Sequence, residues 1–395
     1  MPEPKQREVV VGNAAKFLLT LHIDRTGKDE LVAAEADMLP AKPENDTDAD
    51  YGRADKGTAW ILLSRLYLNA GTYLNNDGSN NPYWKEAKEY AEKVINSDYK
   101  LFDDSKESAE AKANGYKPYD LLFMGDNGSN GASCEALLPL LQDGDKTQGW
   151  GGSLFFIATN WNDKMATVTD KTAGTTGNNW SGMRLRPEFL QKFTKDPSIF
   201  LDKSTSEIRA MGIDDRALIW GKGSDSDKRT IELGDNSSFY QGLTTTKWNN
   251  NYSNNGTPHD TYNVDTDFFL FRVAEAYLNA AEAEMHLNGE GSALAKQYID
   301  AIRNRAHASI KASYTLNDIL DERAREFYCE GIRRTDLIRF NQFGGNQATY
   351  TWAYKGGSEN GNSFSKIFNI YPLPSSEVLA NKNLTQIDGY NESNN

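Results

Sequence analysis

From Ala59 onward the apolar residues Trp60, Leu63, Leu66, Tyr67 and Ala70 recur at three- and four-residue steps, the spacing of one helix face. The pattern predicts an amphipathic helix that ends near Gly71. A polar turn over residues 75–82 leads to a second helical pattern carrying Trp84, Ala87, Ala91, Val94 and Ile95. So short a connection predicts an antiparallel hairpin. The unit returns later, where Tyr277-Leu278-Asn279-Ala280 repeats Tyr67-Leu68-Asn69-Ala70 residue for residue. Its second helix carries Ala295, Tyr298, Ile299, Ile302 and Arg303, matching Ala87, Tyr90, Ala91, Val94 and Ile95 except at the last position. Small alanines between large apolar residues let helices approach closely, as in tetratricopeptide-like hairpins. Two copies rather than a tandem array predict a helical scaffold of stacked hairpins.

Between the copies the periodicity stops. Residues 105–265 are rich in Gly, Asn, Thr, Ser and Asp, with short apolar runs at 136–141 and 154–158. A helix is expected over Arg186-Pro187-Glu188-Phe189-Leu190-Gln191-Lys192-Phe193, with Pro187 suited to its first turn. Trp150, Trp161, Trp180, Trp220 and Trp248 fall in this stretch, and interleaved tryptophans argue against disorder. The expected organisation is one mainly α domain over 1–395. It comprises a first hairpin at 58–97, a loop-rich region with short strands at 105–265, a second hairpin and charged helix at 266–340, and an extended segment at 341–395. Pro372 and Pro374 keep that last segment from being helical. Residues 9–21 form an apolar patch before an acidic loop at 45–50, and the tail 391–395 is expected to fray.

The densest chemistry lies at Glu322-Arg323-Ala324-Arg325-Glu326-Phe327-Tyr328-Cys329-Glu330. Thr315 or Asn317 can cap this helix, whose apolar face is Leu316, Ile319, Leu320, Phe327 and Tyr328. Glu322, Glu326 and Glu330 form one stripe and need cations beside them. Arg323, Arg325, Arg333 and Arg334 are local, and Arg272, Arg303 and Arg305 lie on neighbouring elements. A glycosidase would use two carboxyls flanking a bond, one with a raised pKa in an apolar pocket. Glutamates among so many arginines are expected to be a salt-bridge scaffold instead.

Composition excludes more than it selects. A net charge of −13 over 395 residues, with no basic run, argues against nucleic acid and anionic membrane surfaces as partners. Cys134 and Cys329 give neither a disulfide framework nor a zinc spacing. His22, His259, His286 and His307 make no metal motif, and no phosphate loop, dinucleotide fingerprint or nucleophile elbow occurs. Gly221-Lys222-Gly223-Ser224 is expected to be a turn. No cofactor is expected; acidic loops such as 225–227 lack a defined calcium spacing. No run of 18 apolar residues occurs. The start Met1-Pro2-Glu3-Pro4-Lys5 lacks the apolar core of a secretory signal.

Three ordered blocks resemble the SusD/RagB family. They are Arg272-x-Ala274-Glu275-x-Tyr277-Leu278-Asn279, Ile302-Arg303-x-Arg305-Ala306, and Glu322-Arg323-x-x-Glu326-x-x-x-Glu330-Gly331-x-Arg333-x-x-Asp336-Leu337-x-Arg339-Phe340. Gly52-Arg53-Ala54-x-Lys56-Gly57, Trp180-Ser181-Gly182-Met183-Arg184 and the ending Tyr371-Pro372-Leu373-Pro374 extend the match from about Tyr51 to Tyr390. The resemblance implies tetratricopeptide-like hairpins holding out an irregular ligand face. It also implies a surface lipoprotein of the outer membrane that binds oligosaccharides without cleaving them and passes them to a SusC-type TonB-dependent transporter. Family members carry a signal peptide, a lipidated cysteine and a long helical N-terminal region. About fifty residues precede the Gly-Arg-Ala-x-Lys motif here, so the chain is expected to be N-terminally truncated, with its lipid anchor missing. Ile387-Asp388 also departs from the asparagine and proline usual before the last Gly-Tyr.

Sugars present apolar C–H faces and a rim of hydroxyls, which aromatic platforms and Asn, Asp, Gln or Arg side chains complement. The candidate ligand residues are Trp150, Trp161 and Trp180, with Asn160 and Asn179 beside two of them, and Tyr73 and Trp352 further off. Trp60, Trp84 and Trp248, the last in an expected strand over 245–248, are assigned to packing. The alternatives are a peptide-binding member of the same family, an enzyme using Glu322 and Glu326, and a helical adaptor with an apolar groove.

Overall fold

The computed structural model describes residues 25–390 apart from 76, 225, 226 and 236. The apolar patch at 9–21, His22, the tail at 391–395 and most of the acidic loop at 225–227 lie outside the described residues. Helices α1 (Lys56–Leu68) and α2 (Trp84–Ile95) form the first hairpin. The second joins α4 (Val273–Asn288) and α5 (Ala293–Arg305), and is followed by α6 (Leu316–Phe327) and α7 (Arg333–Arg339). Between the hairpins, α3 (Ser153–Asn160) stands among loops, as do the strands β1 (Ala136–Leu140), β2 (Ile219–Trp220) and β3 (Thr244–Thr245). Strand β4 (Phe268–Arg272) leads back into α4.

Helix α4 packs on α1, α2, α5 and α6, and small residues let it approach. Ser64 Oγ donates to the Ala87 carbonyl at 2.9 Å, and Asn279 Nδ2 donates to Ser64 Oγ at 3.2 Å. Asp55 caps α1, and Thr315 with Asp318 makes a capping box for α6. The first helix does not stop at Gly71: Asn69 interrupts it, and a short helix over Ala70–Asn75 follows. Gly71 is there for clearance, since a Cβ would stand 2.6 Å from the Asp77 carbonyl oxygen. The helix expected over 186–193 is confined to Pro187–Leu190.

The loop-rich region has a core of its own, built on Phe102, Tyr119, Phe123, Leu154, Trp161 and Trp248. Strands β1 and β4 pair antiparallel and tie this region to the segment that leads into α4. Of the expected strand over 245–248 only Thr245 is in one, the two-residue β3, which pairs with β2. Elsewhere side-chain amides replace the ladder. Asn127 Nδ2 donates to the carbonyls of Leu122 and Asp267 and its Oδ1 accepts from Asp267 N, while Asn250 Oδ1 accepts from Asp265 N. Buried backbone groups must be paired somehow, and short polar side chains do it here. Gly221 is a packing residue, because a Cβ there would stand 1.8 Å from the Phe200 carbonyl.

A buried ionic network joins the two halves. Glu326 has none of its surface exposed and pairs with Arg272 at 2.8 Å, Arg216 at 3.2 Å and Arg305. Glu322 binds Arg303 at 2.6 Å and Arg216 at 2.7 Å, and also Arg325. Glu330 takes Arg272 at 2.8 Å and Lys247 at 2.6 Å, and Glu135 takes Arg272 at 2.7 Å and Arg305 at 3.2 Å. The arginine that breaks the repeat at position 303 is therefore an ion-pair residue.

Burial alone would raise the Glu322 carboxyl, but Arg216, Arg325 and Arg303 outweigh it and hold the group at about 2. Glu326 and Asp336 are lowered in the same way. Such depressed carboxylates stabilise the fold fully above their unfolded pKa of about 4.3 and lose that contribution as pH falls below it. Thermal melts should therefore drop steeply between about pH 4.5 and pH 2; a flat profile over that range would contradict the network's role.

Candidate functional site: an aromatic arc on the loops

Three loops bring Trp150, Trp180 and Tyr262 together. Their side chains are half open to solvent, at 47%, 51% and 49% exposure. The Trp150 and Trp180 ring centroids lie 5.0 Å apart with the planes tilted by 35°, and Tyr262 meets Trp150 edge-on at 5.9 Å. The Trp150 loop is fixed at its base, where Gln142 N donates to Asp267 Oδ1 and Gly144 N donates to Asp265 Oδ1, both at 2.7 Å. Trp180 N donates to the Ala158 carbonyl at the end of α3 at 2.9 Å, and Gly182, at φ +126°, completes a turn few other residues would take. Thr176 N donates to the Thr261 carbonyl at 2.7 Å, and Asn178 Nδ2 donates to the Tyr262 carbonyl, which tie the second and third loops. The rings are thus carried on hydrogen-bonded bases, packed against one another and half open to solvent.

Asn179 stands at the rim, half-buried, donating to Asp163 Oδ1 at 3.2 Å and accepting from Thr175 Oγ1 at 2.9 Å. Trp161 and Asn160 are corrections. Trp161 is wholly buried, its Nε1 donating to the Trp248 carbonyl at 2.7 Å. Asn160 is buried too, donating to the Phe156 carbonyl at 2.7 Å, while its own carbonyl accepts from Thr244 Oγ1 at 3.0 Å. The polar neighbours of Trp161 serve backbone groups at the end of α3 and are no sign of exposure. Trp161→Ala should accordingly cost about 3–5 kcal/mol of stability, visible in denaturant unfolding; a variant as stable as the parent would count against this placement.

Tyr73 and Trp352 are not part of the arc. Tyr73 is exposed on the short helix after α1, near Arg65 and Arg339. Trp352 stacks on Phe343 at 6.1 Å. Trp84 and Trp248 pack as expected, Trp84 against His286 at 3.8 Å and Trp248 against Phe268 at 5.2 Å, while Trp60 is half-buried beneath Lys93. Tyr262 is the residue that pattern missed. Its setting, Thr261-Tyr262-Asn263, has the same polar character as Asn179-Trp180-Ser181, which was the available signal.

Glu322 and Glu326 do not make an acid pair. Both are buried under guanidinium groups with lowered pKa, so neither can protonate a leaving group near neutral pH. Among the described residues one side-chain group could hold a metal ion, Asp143, His259 and Asp265, whose ligand atoms lie within 4.8 Å of one another. These groups already have partners: His259 Nδ1 meets Asp265 Oδ1 at 2.9 Å, and Lys146 meets Asp143 at 2.5 Å. No described helix is long and apolar enough to cross a membrane.

The sequence matches the SusD family over residues 210–390. It is 37% identical over 394 residues to the starch-binding protein SusD of Bacteroides thetaiotaomicron, covering 92% of this chain and 64% of that protein. The chain thus spans less than two thirds of this relative's length. A SusD-like protein from Bacteroides fragilis NCTC 9343 has a similar fold, with a TM-score of 0.61 at 20% identity over 92% of this chain and 70% of its own. Surface glycan-binding protein A from Bacteroides thetaiotaomicron, solved in complex with laminarihexaose, gives a TM-score of 0.57 at 19% identity, covering 91% and 70%. Residues 210–390 thus carry the SusD family pattern, and 92% of the chain shares the mainly α fold of SusD-like proteins.

Proposed function

We propose that this protein is a non-catalytic, cell-surface oligosaccharide-binding protein that passes its ligand to a SusC-type TonB-dependent transporter in the outer membrane. The observation that carries this reading is the Trp150–Trp180–Tyr262 arc, an open aromatic surface with the polar Asn179 at its edge. Aromatic faces cover the C–H faces of sugar rings at little entropic cost. The two tryptophan planes are inclined by 35°, so the surface is bent rather than flat. A curved glucan follows such a surface better than a flat one. Starch binding by one relative and the laminarihexaose complex of another support the same ligand class.

Calorimetry with maltoheptaose and cellohexaose, and with a chromatographic check for products, tests the reading. Binding of maltoheptaose in preference to cellohexaose, with the sugar recovered intact, is expected. Hydrolysis, or binding of peptides in place of both sugars, would overturn it. Co-purification with a TonB-dependent receptor encoded beside it tests the transport step.

A further inference from the structure

A groove of about 380 Å³ lies between the segment 183–189, the end of α6, α7 and the loop 343–352. Its walls carry Phe189, Tyr328, Phe343, Tyr350 and Trp352. Most of its cations are already engaged. Arg323 binds Asp336, Arg333 donates to the Leu320 carbonyl and the Tyr350 hydroxyl, Arg334 donates to two carbonyls, and Arg184 donates to the Gln241 carbonyl. Arg186 and Glu188 differ. Both are half-buried in the wall, and Arg186 Nη1 and Glu188 Oε2 are buried with no hydrogen-bond partner among the described residues. They flank Pro187, which fixes the turn that presents them.

An unpaired donor and an unpaired acceptor in a largely apolar groove each carry a desolvation cost. One ligand group answers both: a secondary amide, whose carbonyl accepts, whose N–H donates and whose methyl can rest on an aromatic wall. We propose that this groove is a second saccharide subsite that takes an N-acetylhexosamine unit, the acetamido group lying between Arg186 and Glu188 and the ring against Trp352. The assignment rests on the oligosaccharide reading above. Arg186 follows Trp180 by six positions, so their Cα atoms are at most about 20 Å apart, within the span of one long ligand.

N,N′-diacetylchitobiose and cellobiose share a backbone and differ in the acetamido groups, which makes them the probes. Calorimetry should show the acetylated sugar binding about tenfold tighter or more, since a site built for an amide penalises a ligand without one. Arg186→Met and Glu188→Met should each remove that preference, and Trp180→Ala should leave it intact. If either groove variant fails to fold, Trp352→Ala must still weaken the acetylated sugar. Equal affinity for the two sugars would overturn the proposal, and so would a preference that follows Trp180 rather than Arg186. Tighter binding of N-acetyl-leucine amide would make the groove a peptide site and also overturn it. Maltoheptaose titrated into the same variants separates the two readings: its failure alone sinks the arc, and failure of diacetylchitobiose alone sinks the groove.

Discussion

Glu326→Gln should unfold far below the parent protein and bind the same oligosaccharides. The carboxylate sits among Arg216, Arg272 and Arg305, each itself fully buried. Glutamine keeps the shape and a hydrogen-bond acceptor but removes the charge. The remaining anions, Glu135, Glu322, Glu330 and Asp214, must then balance those three arginines together with Arg303, Arg325 and Lys247. Leaving buried cations short of a partner costs about 3–5 kcal/mol, and because the site is dry, added salt should recover little of it. Denaturant unfolding of parent and variant measures the loss. An unchanged stability, or an altered ligand preference in a well-folded variant, would mean that this cluster is not the scaffold.

The opposite split is expected at the arc. Trp150→Ala with Trp180→Ala should lower maltoheptaose affinity about a hundredfold or more, taking each ring as a binding hot spot of about 2 kcal/mol. Stability should hardly change, because both rings are half exposed and their loops are held by backbone bonds to Asp265, Asp267 and Ala158. Retained affinity in a folded double variant would move the ligand face elsewhere, whereas a large loss of stability would show the rings to be structural.

These expectations differ in how far they could be drawn from residues in order. The hairpins were legible because helix faces recur within a turn or two, and Trp60 to Ala70 announce one locally. The Glu322–Glu330 stripe was legible as a scaffold because its cations lie within a few residues or on the next helices. Its deepest partner, Arg216, comes from the loop region and left no mark in any spacing. The arc was half legible. Trp150 and Trp180 could be nominated, but Tyr262 joins them across more than eighty residues of aperiodic chain. Trp161 shows why polar context misleads: an asparagine at a helix end can face inward to serve the backbone, carrying its neighbour into the core with it.

Asp336 has a consequence for how the two hairpins lose their structure. It pairs with Arg323 at 2.7 Å and Arg339 at 2.9 Å. These two arginines donate respectively to Asn279 at 2.9 Å and Asn69 at 3.1 Å, the matching asparagines of the repeated Tyr-Leu-Asn-Ala. One carboxylate therefore clasps the same position of both units. Removing either arginine slackens the clasp for the other hairpin as well. The energetic effects of changing Arg323 and Arg339 will not add, and the two units will melt as one cooperative body rather than as separable modules.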